Sequence, residues 1–293
     1  MQISIKQFEK ILPNICSRET SSDPKNWTPE NPIWGHCAVV SLVAQNLFGG
    51  TLARASLENT EFAGMGSHYW NIFDSAGKDF SVSQFQGKNP ILTVSERTRN
   101  YVLYDPKTGV PRETMNRYKL LAFRLAKALN SGNPLFSDPI YKMCLLEALG
   151  SPCQKKWFGC VIIYESTIVY SDCNKTIKPL KSLCDPNCIR LNIQSRTESM
   201  IGACGHAEEL GMAKCTKADI PLDRCSLYVA GLDNNGLPLI KKEAHFTCLR
   251  CAVQMYNYGI GKIYTPVIDQ WVGLSAERAV EIAKTYAMKE KTV

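Results

Sequence analysis

Two short stretches in the last third of this 293-residue chain constrain it more than any other feature. One reads Cys204-Gly205-His206-Ala207-Glu208-Glu209. The other reads Phe246-Thr247-Cys248-Leu249-Arg250-Cys251-Ala252. Together they offer one imidazole, His206, and two thiols, Cys248 and Cys251. A tetrahedral Zn²⁺ takes three such ligands when its fourth position is kept open for water. Glu208 follows His206 too closely to add a comfortable fourth ligand from the same turn, and it is well placed to touch that water instead. Cys204, two residues before His206, is the remaining candidate ligand. If it bound, the site would be closed and structural.

His-x-Glu followed by Cys-x-x-Cys resembles the zinc-dependent cytidine/deoxycytidylate/adenosine deaminase superfamily, over roughly residues 134–293. Thr247 stands where many members have proline before the first cysteine. The resemblance implies one catalytic Zn²⁺ held by His206, Cys248 and Cys251. It also implies a hydrolytic attack on C4 of a cytosine or C6 of an adenine, with release of ammonia. Glu208 is then the proton shuttle, accepting from water and delivering to the ring nitrogen and the leaving amino group. The substrate is a nucleobase, free as a nucleoside or nucleotide or carried in nucleic acid. An asparagine just after the first hairpin contacts the substrate sugar in this family, and Asn174 matches that place. On its own residues Asp172-Cys173-Asn174 reads equally as an Asx turn. Phe246 stands beside the pocket as a further substrate contact. The superfamily is usually oligomeric, so a homo-oligomer is expected.

The hydrophobic pattern of residues 134–293 gives helix, strand, strand, helix, strand, helix, strand, helix. The helices are expected over 138–149, from about 203 to 214, over 248–258 and over 276–284. The strands are expected over 157–164, 167–171, 224–230 and 262–266, with a short extra strand over 237–240. No fifth strand of the sheet is evident before Val293. The order suits a three-layer α/β/α sandwich with a mixed sheet, both ligand groups falling at helix N-termini where peptide dipoles favour thiolates. Cys184-Asp185-Pro186-Asn187-Cys188, with Cys153 or Cys173, is a candidate for a second, structural zinc, against the reading of an ordinary loop.

Residues 1–130 precede a break at Ser131-Gly132-Asn133-Pro134 and form a separate expected domain. A helix is expected to begin near Cys37 and end at Gly49-Gly50. A hairpin follows, with one strand over 67–74, a turn over 75–78 and a second strand over 79–85. Cysteine at a helix start, His68 on one strand and Asp79 on the next is the layout of a thiol-nucleophile triad. Cys37 would be the nucleophile, His68 its base and Asp79 the group that orients the base. The alternative is a packed core, since cysteine on an apolar helix is usually a small buried residue. Asn31-Pro32-x-x-Gly35-x-Cys37-Ala38, Phe48-Gly49-Gly50, His68-Tyr69-Trp70-Asn71, Gln84-Phe85 and Arg117-Tyr118-Lys119-Leu120-Leu121 resemble the small bacterial YunG-like family. That resemblance implies a compact α+β unit of papain-like character and carries over no activity; the triad layout itself gives a cysteine amidase or peptidase activity as the alternative to the deaminase reading. A non-catalytic zinc-binding protein is the third reading.

Thirteen cysteines, an odd number, argue against a disulfide framework and for reduced thiols. No signal-like N-terminus and no apolar run of membrane-spanning length is present, so a cytoplasmic protein of nucleotide metabolism is expected, with no membrane partner. The net charge of +7 is spread along the chain without a dense basic run. That balance permits nucleic-acid binding without indicating it.

Overall fold

The computed structural model describes residues 3–88, 90, 94–184, 188–193, 202–233, 235–242 and 248–289. The chain separates into two compact units, Met1–Leu129 and Asn130–Val293. Among the described residues no helix is long and apolar enough to cross a membrane.

The first unit contains α1 (Ile5–Ile15), α2 (Cys37–Phe48), β1 (Thr51–Ser56), β2 (Ser67–Phe73), β3 (Ala76–Lys78), β4 (Val94–Arg97), α3 (Arg99–Leu103) and α4 (Glu113–Leu129). Its sheet runs β3-β2-β1-β4, with every neighbouring pair antiparallel. Val39, Val40, Leu42, Val43 and Ala44 of α2 are all buried, so this helix is apolar on more than one side and sits in the core. The hairpin differs from the expected one. Its turn is Asp74-Ser75, both at positive φ (47° and 68°), the tight two-residue connection that matches strand twist. The returning strand β3 has only three residues, and Val82–Phe85 form a 3₁₀ turn in place of the expected strand. Asp79 therefore lies just beyond the end of β3.

The second unit contains α5 (Pro139–Gly150), β5 (Lys156–Tyr164), β6 (Thr167–Cys173), β7 (Lys175–Thr176), β8 (Cys204–Gly205), α6 (Ala207–Lys217), β9 (Cys225–Asp233), α7 (Leu249–Asn257), β10 (Lys262–Val267), β11 (Gln270–Leu274) and α8 (Ala276–Lys289). Five strands form a sheet in the order β11-β10-β9-β5-β6. Only β9 and β10 pair parallel, so the sheet is mixed. Asp138 caps α5 by accepting from the Tyr141 amide at 2.7 Å. That helix lies so close on one face of the sheet that a Cβ on Gly159 would sit 2.0 Å from the Cys144 carbonyl oxygen. On the other face, Cys160 and Ile162 of β5 and Cys225, Leu227 and Val229 of β9 share one core with Met212 of α6, Met255 of α7 and Ala279 of α8. The result is the three-layer α/β/α arrangement.

Three details correct the sequence reading. A fifth strand, β11, does exist. It returns antiparallel on β10 through Ile268 at φ 55°, before the last helix. The expected strand over 237–240 reduces to a single bridge between Leu232 and Pro238. The helix carrying the first ligand starts at Ala207 and not near Ala203, because Cys204 and Gly205 pair with Thr176 and Lys175 as a short β-ladder.

Candidate metal centre

His206 is the N-cap of α6 and Cys248 is the N-cap of α7. Each ligand-bearing turn is therefore a helix entry, where free backbone N–H groups favour negative charge. His206 Nδ1 lies 3.1 Å from Cys251 Sγ and 3.3 Å from Cys248 Sγ. All three ligand atoms fall within 4.8 Å of one another, and no other acidic, histidine or cysteine side chain joins the set among the described residues. With Zn–N of about 2.0–2.1 Å and Zn–S of about 2.3 Å, a tetrahedron has an N···S edge of about 3.5–3.6 Å. The spacing thus fits a zinc ion with only slight expansion.

The charges in the site favour a cation. The Cys251 thiol donates to Cys248 and holds the Cys248 thiol well below the usual range, and the His206 ring adds to this. Cys251 is raised in turn by keeping that shared proton and by burial. One negative charge is thus already favoured before a metal arrives, and the second appears when the cation displaces the shared proton.

Glu208 lies in the first turn of α6 and is buried. Burial raises its carboxyl to about 7; His206 pulls it down, and the Cys248 sulfur pushes it further up. A divalent cation alongside would draw it back towards the ordinary carboxylate range. Glu209 faces elsewhere. It accepts the His206 backbone N–H at 3.0 Å and both a Nε–H and a Nη2–H of Arg250, each at 2.5 Å. Arg250 also donates to the Cys204 carbonyl at 3.1 Å. A cation in the first turn of α7 opposes the helix dipole, and the bidentate carboxylate offsets that cost while clamping α6 to α7. The sequence reading assigned Arg250 no role. Its signal was present, a lone cation between the two cysteines facing a second acid beside Glu208.

The remaining expected residues fall as follows. The Asn174 side chain accepts from the Phe158 amide at 2.7 Å and donates to the Lys156 carbonyl at 3.1 Å. It ties the end of β6 to β5. Phe246 and Thr247 lie outside the described residues. Cys204 does not join the three ligands; its sulfur is 3.8 Å from Cys184 Sγ and 3.6 Å from Thr176 Oγ1.

In the first unit, His68 Nε2 is 2.6 Å from Asp79 Oδ2. Gln84 Oε1 accepts from the Gly35 amide at 3.3 Å, which turns its Nε2 towards His68 Nδ1 at 3.0 Å. Cys37 is hydrogen-bonded to His68 and also reaches the Ser67 carbonyl at 3.7 Å. Burial works against charge on the ring, yet Asp79 and Cys37 draw its pKa up to about 9. The Gln84 amide, donating to Nδ1, opposes that protonation. When the ring is neutral, the hydrogen-bond directions favour its proton on Nε2, facing Asp79. In the sequence Gln84 is legible only within Gln84-Phe85, part of the likeness to the YunG-like family, and has no role assigned there. His36, the neighbour of Cys37, is engaged on both nitrogens, by Thr20 Oγ1 at 2.7 Å and the Trp34 carbonyl at 2.8 Å. It is therefore a structural residue.

Residues 137–266 match the family described as cytidine and deoxycytidylate deaminase zinc-binding region. Residues 4–130 match the YunG protein family. The uncharacterized protein YunG of Bacillus subtilis (strain 168) is 36% identical over 82 residues, 28% of this chain and 64% of that protein. The match thus spans less than two thirds of the relative's length. The chain accordingly carries a YunG domain over residues 4–130 and a cytidine/deoxycytidylate deaminase zinc-binding domain over residues 137–266.

Proposed function

We propose that the second unit removes the amino group of a cytosine- or adenine-type base by zinc-dependent hydrolysis, releasing ammonia. The observation that carries this is the convergence of one imidazole nitrogen and two sulfurs within 4.8 Å, with no fourth side chain in the set among the described residues and a buried carboxyl in the same helical turn as His206. A purely structural zinc would call for a fourth protein ligand. His206, Cys248 and Cys251 would hold the zinc, which would supply an acidified water. Glu208 would take a proton from that water and pass it to the ring nitrogen of the base as the oxygen adds to the carbon bearing the amino group. It would then carry the remaining proton of the added hydroxyl to the amino group as the C–N bond breaks. A carboxyl near neutral pKa suits a group that must both accept and donate. The shared Cys248/Cys251 proton leaves as the metal loads, so zinc affinity rises with pH. Thirteen cysteines, none in a disulfide, suit a reducing cytoplasm. The test is ammonia release from cytidine, deoxycytidylate, adenosine, guanine and short RNA, with Glu208→Ala as control. Release that survives in the variant would end the role given to Glu208.

A second reading concerns the first unit and rests on its own hydrogen bonds. Asp79, His68 and Cys37 lie along one chain of contacts, Asp79 on His68 Nε2 and Cys37 hydrogen-bonded to the same ring. In a thiol hydrolase His68 would take the Cys37 proton as the sulfur attacks an acyl carbon. It would return the proton to the departing amine, and water would then cleave the thioester. Labelling of Cys37 by an electrophilic amide probe should be lost in His68→Ala. Equal labelling in both proteins would leave Cys37 as a core residue.

A further inference from the structure

Four cysteines outside the metal centre meet in one place. Cys153, Cys184, Cys188 and Cys204 line a single small pocket, with Pro152, Gln154, Lys175 and Thr176. They come from three separate segments: the link between α5 and β5, the stretch after Thr176, and β8. The Cys184 and Cys204 sulfurs are 3.8 Å apart. A tetrahedral zinc with Zn–S of about 2.3 Å has an S···S edge of about 3.8 Å. Cys188 is hydrogen-bonded to Cys184 through its side chain.

The backbone around these sulfurs is arranged as it is around metal thiolates. The Lys155 amide donates to Cys153 Sγ at 3.4 Å, and the Arg190 amide donates to Cys188. In both cases the donor is two residues after the cysteine, and such N–H···S contacts orient and stabilise a ligating sulfur. Gln154 clasps the second segment at both ends. Its Nε2 donates to the Cys184 carbonyl at 3.4 Å and its Oε1 accepts from the Cys188 amide at 3.1 Å. The space between these residues is small, room for one ion and not for an organic ligand. Lys175 also lines the pocket, its ammonium paired with Asp172.

We propose that Cys153, Cys184, Cys188 and Cys204 form a closed four-thiolate site for a second, structural zinc ion. Four thiolates around one small space suit zinc, with iron as the competing metal for a tetrahedral sulfur set. With no open position, the ion activates no water. It fastens the segment around Cys184 and Cys188 to β8, one residue short of the His206 ligand turn, and to the start of β5. Cys173, weighed with this group from the sequence, does not line the pocket.

The test is the zinc content of the purified full chain by elemental analysis, with reduced thiols. Two zinc ions per chain are expected, falling to one in Cys184→Ser/Cys188→Ser and also to one in Cys248→Ser/Cys251→Ser. If the deaminase reading alone fails, the wild type holds one ion, lost in the first variant and kept in the second. One ion lost only in the second variant overturns the four-thiolate site. So does iron in place of zinc, or a mass gain on reduction that reports a Cys184–Cys204 disulfide. Cadmium substitution guards against misfolding of the double variant. Two ¹¹³Cd resonances are expected, and the single change Cys153→Ser should shift only the more deshielded, sulfur-only one. A shift of neither would equally overturn the site.

Discussion

Arg250 offers the sharpest perturbation of the metal centre that touches no ligand. Its guanidinium holds Glu209 in a two-pronged pair, and Glu209 in turn accepts from the His206 backbone. Arg250→Met keeps the length and apolar stem but leaves Glu209 without its cation. Removing one partner of a buried ion pair costs about 3–5 kcal/mol. Here the side chains are 33% and 12% exposed, so solvent screens part of that and roughly 2 kcal/mol remains. Two effects reach the metal. The clamp between α6 and α7 loosens, and a positive charge near the Cys248 and Cys251 sulfurs is removed. Outer partners of metal ligands are worth about 10–100-fold in affinity. Zinc affinity in Arg250→Met, measured by competition with a chromophoric chelator, should therefore fall by about that factor. Arg250→Lys should recover only part of it, because an ammonium lacks the fork that matches a carboxylate. Glu209→Gln and Arg250→Met combined should cost less than the sum of the two. Unchanged affinity in Arg250→Met, or strictly additive losses, would refute the clamp.

Other expectations are narrower. Glu208→Gln should keep its zinc and lose about 10²–10⁴-fold in turnover, as for loss of a general acid–base group; loss of zinc together with activity would instead make Glu208 a structural residue. His36 is buried with both nitrogens engaged, and burial lowers its pKa to about 4 from an ordinary 6.5. Its folded pKa is depressed, so the neutral ring's contribution is fully present above pH 6.5 and is lost as pH falls towards 4. The first unit should lose up to about 3 kcal/mol over that window, read by urea unfolding at stepped pH, and His36→Gln should flatten the slope. Gly159→Ala would put a methyl 2.0 Å from the Cys144 carbonyl oxygen. It should destabilise the second unit by at least about 2 kcal/mol in thermal unfolding, whereas Gly132→Ala, with open space around it, should not.

The sequence made the second unit legible where chemistry and periodicity coincide. His206, Cys248 and Cys251 were readable because few arrangements explain an imidazole and two thiols at helix starts. The long apolar strands β5 and β9 were readable by their burial on both faces. What escaped depends on contacts distant in sequence. β11 is five residues interrupted by Gly273, and only its pairing with β10 makes it a strand. The start of α6 was misjudged because the β7–β8 ladder, set by residues near position 175, takes Cys204 and Gly205 out of the helix. In the first unit β1 went unread. Thr51-Leu52-Ala53-Arg54-Ala55-Ser56 is weakly patterned, yet it is paired on both edges and buries Leu52, Ala53 and Ala55. The gathering of Cys153 and Cys204 with Cys184 and Cys188 had no local spacing to announce it.

The most direct measurement is the zinc K-edge absorption spectrum of the Cys184→Ser/Cys188→Ser protein at one zinc per chain. The account predicts two sulfurs at about 2.3 Å and two lighter atoms at about 2.0–2.1 Å, one of them imidazole nitrogen. A shell of three or four sulfurs, or the same spectrum after His206→Ala, would contradict it.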